Sequence, residues 1–260
     1  MTFLSGSYCG SPPAPAELWA RWTLDPGLLV ALAIAALCYC AAAPRAGLGR
    51  TQRWCFAAGF AALTLALISP LCALSVSLFS ARVGQHMVLT LLAAPLLVLG
   101  GAARLLPSQL LRRLAPLGEP IAAALVFAAL IWFWHMPAPY AATFENRLVY
   151  WIMHVSLLAS ALALWSALLR TDRRGAAGAV AAGLISTVQM SLLGAWLTLA
   201  GAPAFAPHVL TTAVWGLDPL ADQQLGGLIM WGPGCMAFLI GLVPPALSLL
   251  REEAPAAAAR

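Results

Sequence analysis

From Met87 to Gly100 the chain carries no ionisable side chain: MVLTLLAAPLLVLG follows directly on a polar head of Arg82, Gln85 and His86. A run this apolar is satisfied only by lipid or by other helices on every side, so it selects a membrane span over a soluble helix. It also sets His86 at the edge of that span, close to one face of the bilayer. A histidine in that position needs a reason.

The rest of the chain repeats the signal. Of 260 residues, 62% are hydrophobic and 9% charged, against about 25% charged in soluble domains. Seven apolar stretches stand out, at about 27–43, 54–73, 86–101, 120–135, 147–169, 176–200 and 222–251, each long enough to be expected to cross a bilayer. The predicted fold is therefore all-α and polytopic, with seven transmembrane helices in residues 27–250. A proline-rich N-terminal arm (1–26) precedes them and a short tail (251–260) follows. The first ten residues, MTFLSGSYCG, lack a basic segment ahead of an apolar core, so the first span is expected to be kept rather than cleaved. Ser69-Pro70 should bend or end the second span, Pro95 should kink the third, and Gly232-Pro233-Gly234 should break or kink the seventh.

All 14 basic residues are arginine. The 44–53, 101–120 and 170–175 connections and the tail after Leu250 hold all of them except Arg21, Arg82 and Arg147. The positive-inside rule then places the N-terminal arm in the periplasm and the C-terminus in the cytoplasm. Used up in this way, the basic residues leave no nucleic-acid surface to propose.

That topology gathers His86, His135, His154 and His208 in the outer half. His86-Met87, His135-Met136 and Met153-His154 each join an imidazole to a thioether, and Asp222 opens the seventh span on the same face. Imidazole with thioether suits copper. One imidazole from each of spans three, four and five would make a shallow outward funnel, with His86 and His135 at span ends and His154 deeper. His154 is the strongest candidate, because an ionisable ring inside an apolar span marks a site by default. Headgroups or carbonyls could equally satisfy His86 and His135. Asp222 could be a ligand or the N-cap of its own helix, and His208 reads as a surface residue. Trp132, Trp134 and Tyr140 read as interfacial anchors.

The six cysteines form no disulfide framework. Cys38 and Cys40 read as small packers, while Cys9 and Cys72 both reach the outer side, where a disulfide or a soft-metal contact is open. There is no GxSxG, HExxH, phosphate-binding glycine loop or paired buried carboxylate, so no enzyme activity is expected.

The blocks YCGSPPAPAELWARWTLDP (8–26), ARVGQHMVLTLLAAPLLVLG (81–100), FWHMPAPY (133–140), MHVSLL around His154 and DPLADQQLGGLIMWGPG (218–234) resemble the multi-span CtaG family of cytochrome c oxidase assembly proteins. The resemblance implies a seven-helix protein of the bacterial plasma membrane that helps mature a haem-copper oxidase by handling copper. It puts His86, His135, His154 and Asp222 among the family's candidate metal-binding residues. Oxidase subunits or copper chaperones would be partners. This chain departs from the family where many members carry a further histidine, in the block now occupied by Arg82, Val83, Gly84 and Gln85. Two rival readings stay open: a membrane cytochrome with haem clamped by two of the histidines, and a structural partner or copper importer with Met190, Met230, Cys235 and Met236 as an inward ladder.

Overall fold

The computed structural model describes residues 7–105, 109, 119–170 and 173–250, and all regular structure within them is helical. The tail 251–260, the start of the arm, and Arg112 and Arg113 lie outside the described residues. Among the described residues nine helices carry the fold: α1 (Pro26–Ala42), α2 (Arg50–Ile68), α3 (Pro70–Ser77), α4 (Phe79–Leu99), α5 (Pro120–Trp134), α6 (Pro137–Glu145), α7 (Arg147–Leu168), α8 (Arg173–Thr198) and α9 (Pro219–Leu250).

The helix boundaries follow local chemistry. Asp25, Asn146 and Asp218 each cap the helix that follows, accepting from Leu28 N–H at 2.9 Å, Leu148 N–H at 2.8 Å and Leu220 N–H at 2.8 Å. Proline opens α1, α3, α5, α6 and α9, where its missing N–H costs nothing. The break expected at Ser69-Pro70 is present: Ser69 is extended, and its hydroxyl accepts from Leu71 N–H as α3 begins. In α4 the stretch Val88–Ala93 opens into a π turn just before Pro95, and in α9 the stretch Met230–Gly234 does the same around Pro233. Each widened turn accommodates a proline without ending its helix.

Among the described residues five helices, α2, α4, α7, α8 and α9, are long and apolar enough to cross a membrane. The α5–α6 pair makes a sixth crossing if its two arms, bent by 70°, are taken as one. At 17 residues, α1 is shorter. The bundle is apolar outside and polar within, as lipid requires: Leu125, Val155, Val188 and Ile240 are exposed, whereas Arg82, Gln85, Asp222 and Gln223 are buried.

Two contacts fix the packing around the polar centre. The first half of α9 lies on the first half of α4, and α8 lies along α9. The α8–α9 crossing is backbone against backbone, because a Cβ at Gly194 would stand 2.8 Å from Trp231 N and 2.9 Å from Gly227 O. Any larger residue would push the two helices apart. On the other side, α7 packs on α5 and on the second half of α4.

Several expectations are corrected. α4 begins at Phe79, not near His86, so His86 lies about two turns inside its helix, level in depth with His154 on α7. Arg82 lies inside this helix and is fully buried. Tyr140 and Trp134 are core residues at 0% and 5% exposure, not interfacial anchors. Of the two possibilities left open for Cys9 and Cys72, the disulfide is the one present, and it ties the arm to α3; Cys38 and Cys40, expected to pack, lie exposed on α1.

Candidate functional site

Three histidines meet between α4, α5 and α7. The ring of His86 lies 5.4 Å from that of His154 and 6.0 Å from that of His135, centre to centre, both edge to face. Each of the three is at most 3% exposed. His135 follows directly on α5, where the 70° bend into α6 turns it inward.

The backbone fixes the form of two of the rings. His135 Nδ1 lies 2.7 Å from Ile131 O, and His154 Nδ1 lies 3.0 Å from Tyr150 O. A carbonyl can only accept, so each Nδ1 carries the proton and each Nε2 presents a lone pair. Those two Nε2 atoms, and both ring nitrogens of His86, have no hydrogen-bond partner among the described residues. Leaving a buried polar atom unpaired costs about 1–3 kcal/mol, and here four of them crowd one small volume. An Nδ1–H held by a carbonyl with Nε2 left free is the arrangement that orients imidazole toward a metal. Among the described residues, however, no set of three or more His, Cys, Asp or Glu side chains already stands in metal-holding geometry. The rings are neighbours whose nitrogens have yet to converge.

Asp222 is hydrogen-bonded through both carboxylate oxygens. Its Oδ2 accepts from Phe79 N–H at 2.6 Å, and its Oδ1 accepts from Ser80 N–H at 3.1 Å and from the Ser80 hydroxyl at 2.5 Å. It was expected to cap its own helix if it capped anything. Asp218 does that instead, and Asp222 caps α4, the helix that carries His86. Of the three thioethers paired with histidine in sequence, Met87 and Met153 are buried and Met136 is 51% exposed.

Sequence reasoning missed three parts of this centre. Arg82 is wholly buried one turn before His86 on the same face of α4. Its Cζ lies 4.5, 5.4 and 6.0 Å from the ring centres of Phe144, Tyr150 and Tyr140, its Nε reaches Ser75 O at 3.4 Å, and Nη1 and Nη2 have no partner among the described residues. Tyr150 is the second part. Its ring lies 4.2 Å from that of His154, its hydroxyl lies 3.4 Å from Cys9 Sγ, and Tyr8 stacks on it at 4.9 Å. The arm therefore rests on Tyr150, and Tyr150 rests on His154. The third part is His208, which is buried at 2% exposure with Nε2 2.6 Å from the Tyr140 hydroxyl, and not on the surface as expected. Burial, and then the charge of Arg82, lower its pKa to about 3. The i,i+4 spacing of Arg82 and His86 was the one signal in the sequence that linked the arginine to the site.

The fold and its centre define a multi-pass helical membrane protein that encloses a cluster of unpaired imidazoles beside a buried cation. More narrowly, the chain belongs to the cytochrome c oxidase caa3 assembly factor family (Caa3_CtaG), whose family model matches residues 31–252. No curated protein and no solved structure gives a significant match.

Proposed function

We propose that the protein holds copper at His86, His135 and His154 and passes it on during assembly of cytochrome c oxidase, without catalysing a reaction. The observation that carries this reading is the set of four unpaired ring nitrogens on three buried histidines, two of them oriented by backbone carbonyls. Imidazole donors suit a copper ion, and membership of an oxidase assembly family supplies the use for one. When bound, copper would bring the metal that the oxidase needs for its own centres. The protein's residues only collect, orient and release it. Asp222 acts at one remove, holding the amino end of α4 so that His86 faces the other two rings.

The same reading includes a topology of seven crossings, with α1 counted, in the bacterial plasma membrane. The N-terminal arm faces the periplasm, which agrees with the distribution of arginines and with a disulfide at that end of the bundle, since disulfides persist in oxidising compartments. Oxidase subunits or periplasmic copper chaperones would meet the arm end. The haem reading gains no support from rings that meet edge to face, because that contact leaves no slot for a macrocycle between them.

The test is made in cells whose own copy of the gene is deleted. His154→Ala should yield membranes whose oxidase is copper-deficient, with recovery when copper is supplied in excess. Full copper occupancy in a triple His86→Ala, His135→Ala, His154→Ala strain would reject the reading.

A further inference from the structure

Inward of the histidines, two thioethers from different helices converge on a residue that has no side chain. A Cβ placed on Gly234 would lie 3.6 Å from Met87 Sδ and 3.6 Å from Met190 Sδ. The two sulfurs therefore both lie near one point, within twice that distance of each other, with Met190 Cγ nearer to it at 3.2 Å. Met190 is fully buried and Met87 is 8% exposed, so neither sulfur looks out on lipid. Met87 follows directly on His86 in the sequence.

The backbone is unusual at the same crossing. The π turn of α4 starts at Val88, immediately after Met87, and the π turn of α9 ends at Gly234. Such interruptions gather at functional sites. Cys235 stands beside this point, with its Sγ 3.0 Å from the Ser191 hydroxyl and 3.6 Å from Thr187 O, so it is turned toward α8 and already occupied. Met236 is 59% exposed and takes no part.

We propose that Met87 and Met190 form a second, inner site for a soft monovalent cation, the cuprous ion, over Gly234. Thioether sulfur is a neutral, polarisable donor that favours Cu(I) over harder ions. Gly234 matters because any side chain there would fill the space between the sulfurs. An ion leaving His86 would need only to pass to the next residue of α4 to reach this site. The inference extends the histidine reading but rests on different atoms, so each can fail alone.

The experiment uses full-length protein in detergent, labelled with selenomethionine and loaded anaerobically with Cu(I). X-ray absorption at the copper edge then separates copper–selenium from copper–imidazole scattering, free of interference from the four unpaired cysteine thiols. Copper–selenium scattering is expected in the wild type, and in the His86→Ala, His135→Ala, His154→Ala variant. It should be lost from Met87→Leu, Met190→Leu, a volume-conserving change that the core should tolerate. Copper–selenium scattering that is absent from the wild type, or that persists in the double leucine variant, would overturn the inner site. Loss of imidazole scattering alone would leave it standing.

Discussion

Asp222, on the last span, accepts the backbone N–H of Phe79 at 2.6 Å and so caps the helix that presents His86. With Ser80 N–H and Oγ on the other carboxylate oxygen, one side chain satisfies three buried donors. Asp222→Ala would leave these unpaired, at about 2–4 kcal/mol for the group as a whole. Asp222→Asn, which retains one acceptor oxygen, should lose less. Thermal unfolding in detergent checks both, and a wild-type midpoint for Asp222→Ala would show that the cap contributes nothing.

Arg82 is compensated by three aromatic faces and no hydrogen bond to Nη1 or Nη2 among the described residues. Replacing a buried charge by an apolar side chain of similar length is often neutral or stabilising. Arg82→Met should therefore unfold at the wild-type temperature or above it. Arg82→Lys should unfold lower, because an ammonium lacks the planar face that stacks on rings and is harder to desolvate. The reverse order in melting experiments would mean that the positive charge, and not the planar guanidinium face, stabilises this region.

The Cys9–Cys72 disulfide spans a sequence separation of 63. In the chain-entropy account a loop of that size is worth about 4 kcal/mol. Its second effect is to hold Tyr8 against Tyr150 and Trp151, above His154. A Cys9→Ser, Cys72→Ser variant should melt lower, and its histidines should react several-fold faster with diethylpyrocarbonate. An unchanged reaction rate would show that aromatic stacking alone keeps the arm down.

His208 lies in the loop before α9, with its pKa lowered to about 3 by burial and by Arg82. The unfolded chain takes up this proton from about pH 6.5 downward, and the folded chain only near its own lowered value. Stability present above pH 6.5 should thus decline as pH falls toward 3, by up to about 1.4 kcal/mol per pH unit from this one group. His208→Gln should lose less stability than wild type between pH 7 and pH 5. Equal losses in melting curves across that range would remove His208 as their source.

Much of the architecture was legible in the sequence, because lipid demands uncharged runs and proline punctuates them. The break at Ser69-Pro70 was visible, and so was the interruption around Pro233, which the structure takes up as a π turn inside one continuous helix. The start of α4 was not, since Arg82 reads as a charge at a membrane edge until the rings of Phe144, Tyr150 and Tyr140 are seen around it. The grouping of His86, His135 and His154 was readable from topology. Their tautomers were not, because these depend on which carbonyl faces each Nδ1. Asp222 was misjudged for a similar reason: N-caps are sought within one helix, and this one reaches across 143 residues to another.

The central claim is that His86, His135 and His154 hold one copper ion together. Purified protein titrated with Cu(I) against a competing chelator should bind one equivalent at these histidines, separate from any held by Met87 and Met190, that is lost, or weakened at least a hundredfold, in His154→Ala, with comparable losses for His86→Ala and His135→Ala. Wild-type affinity in all three single variants would contradict it.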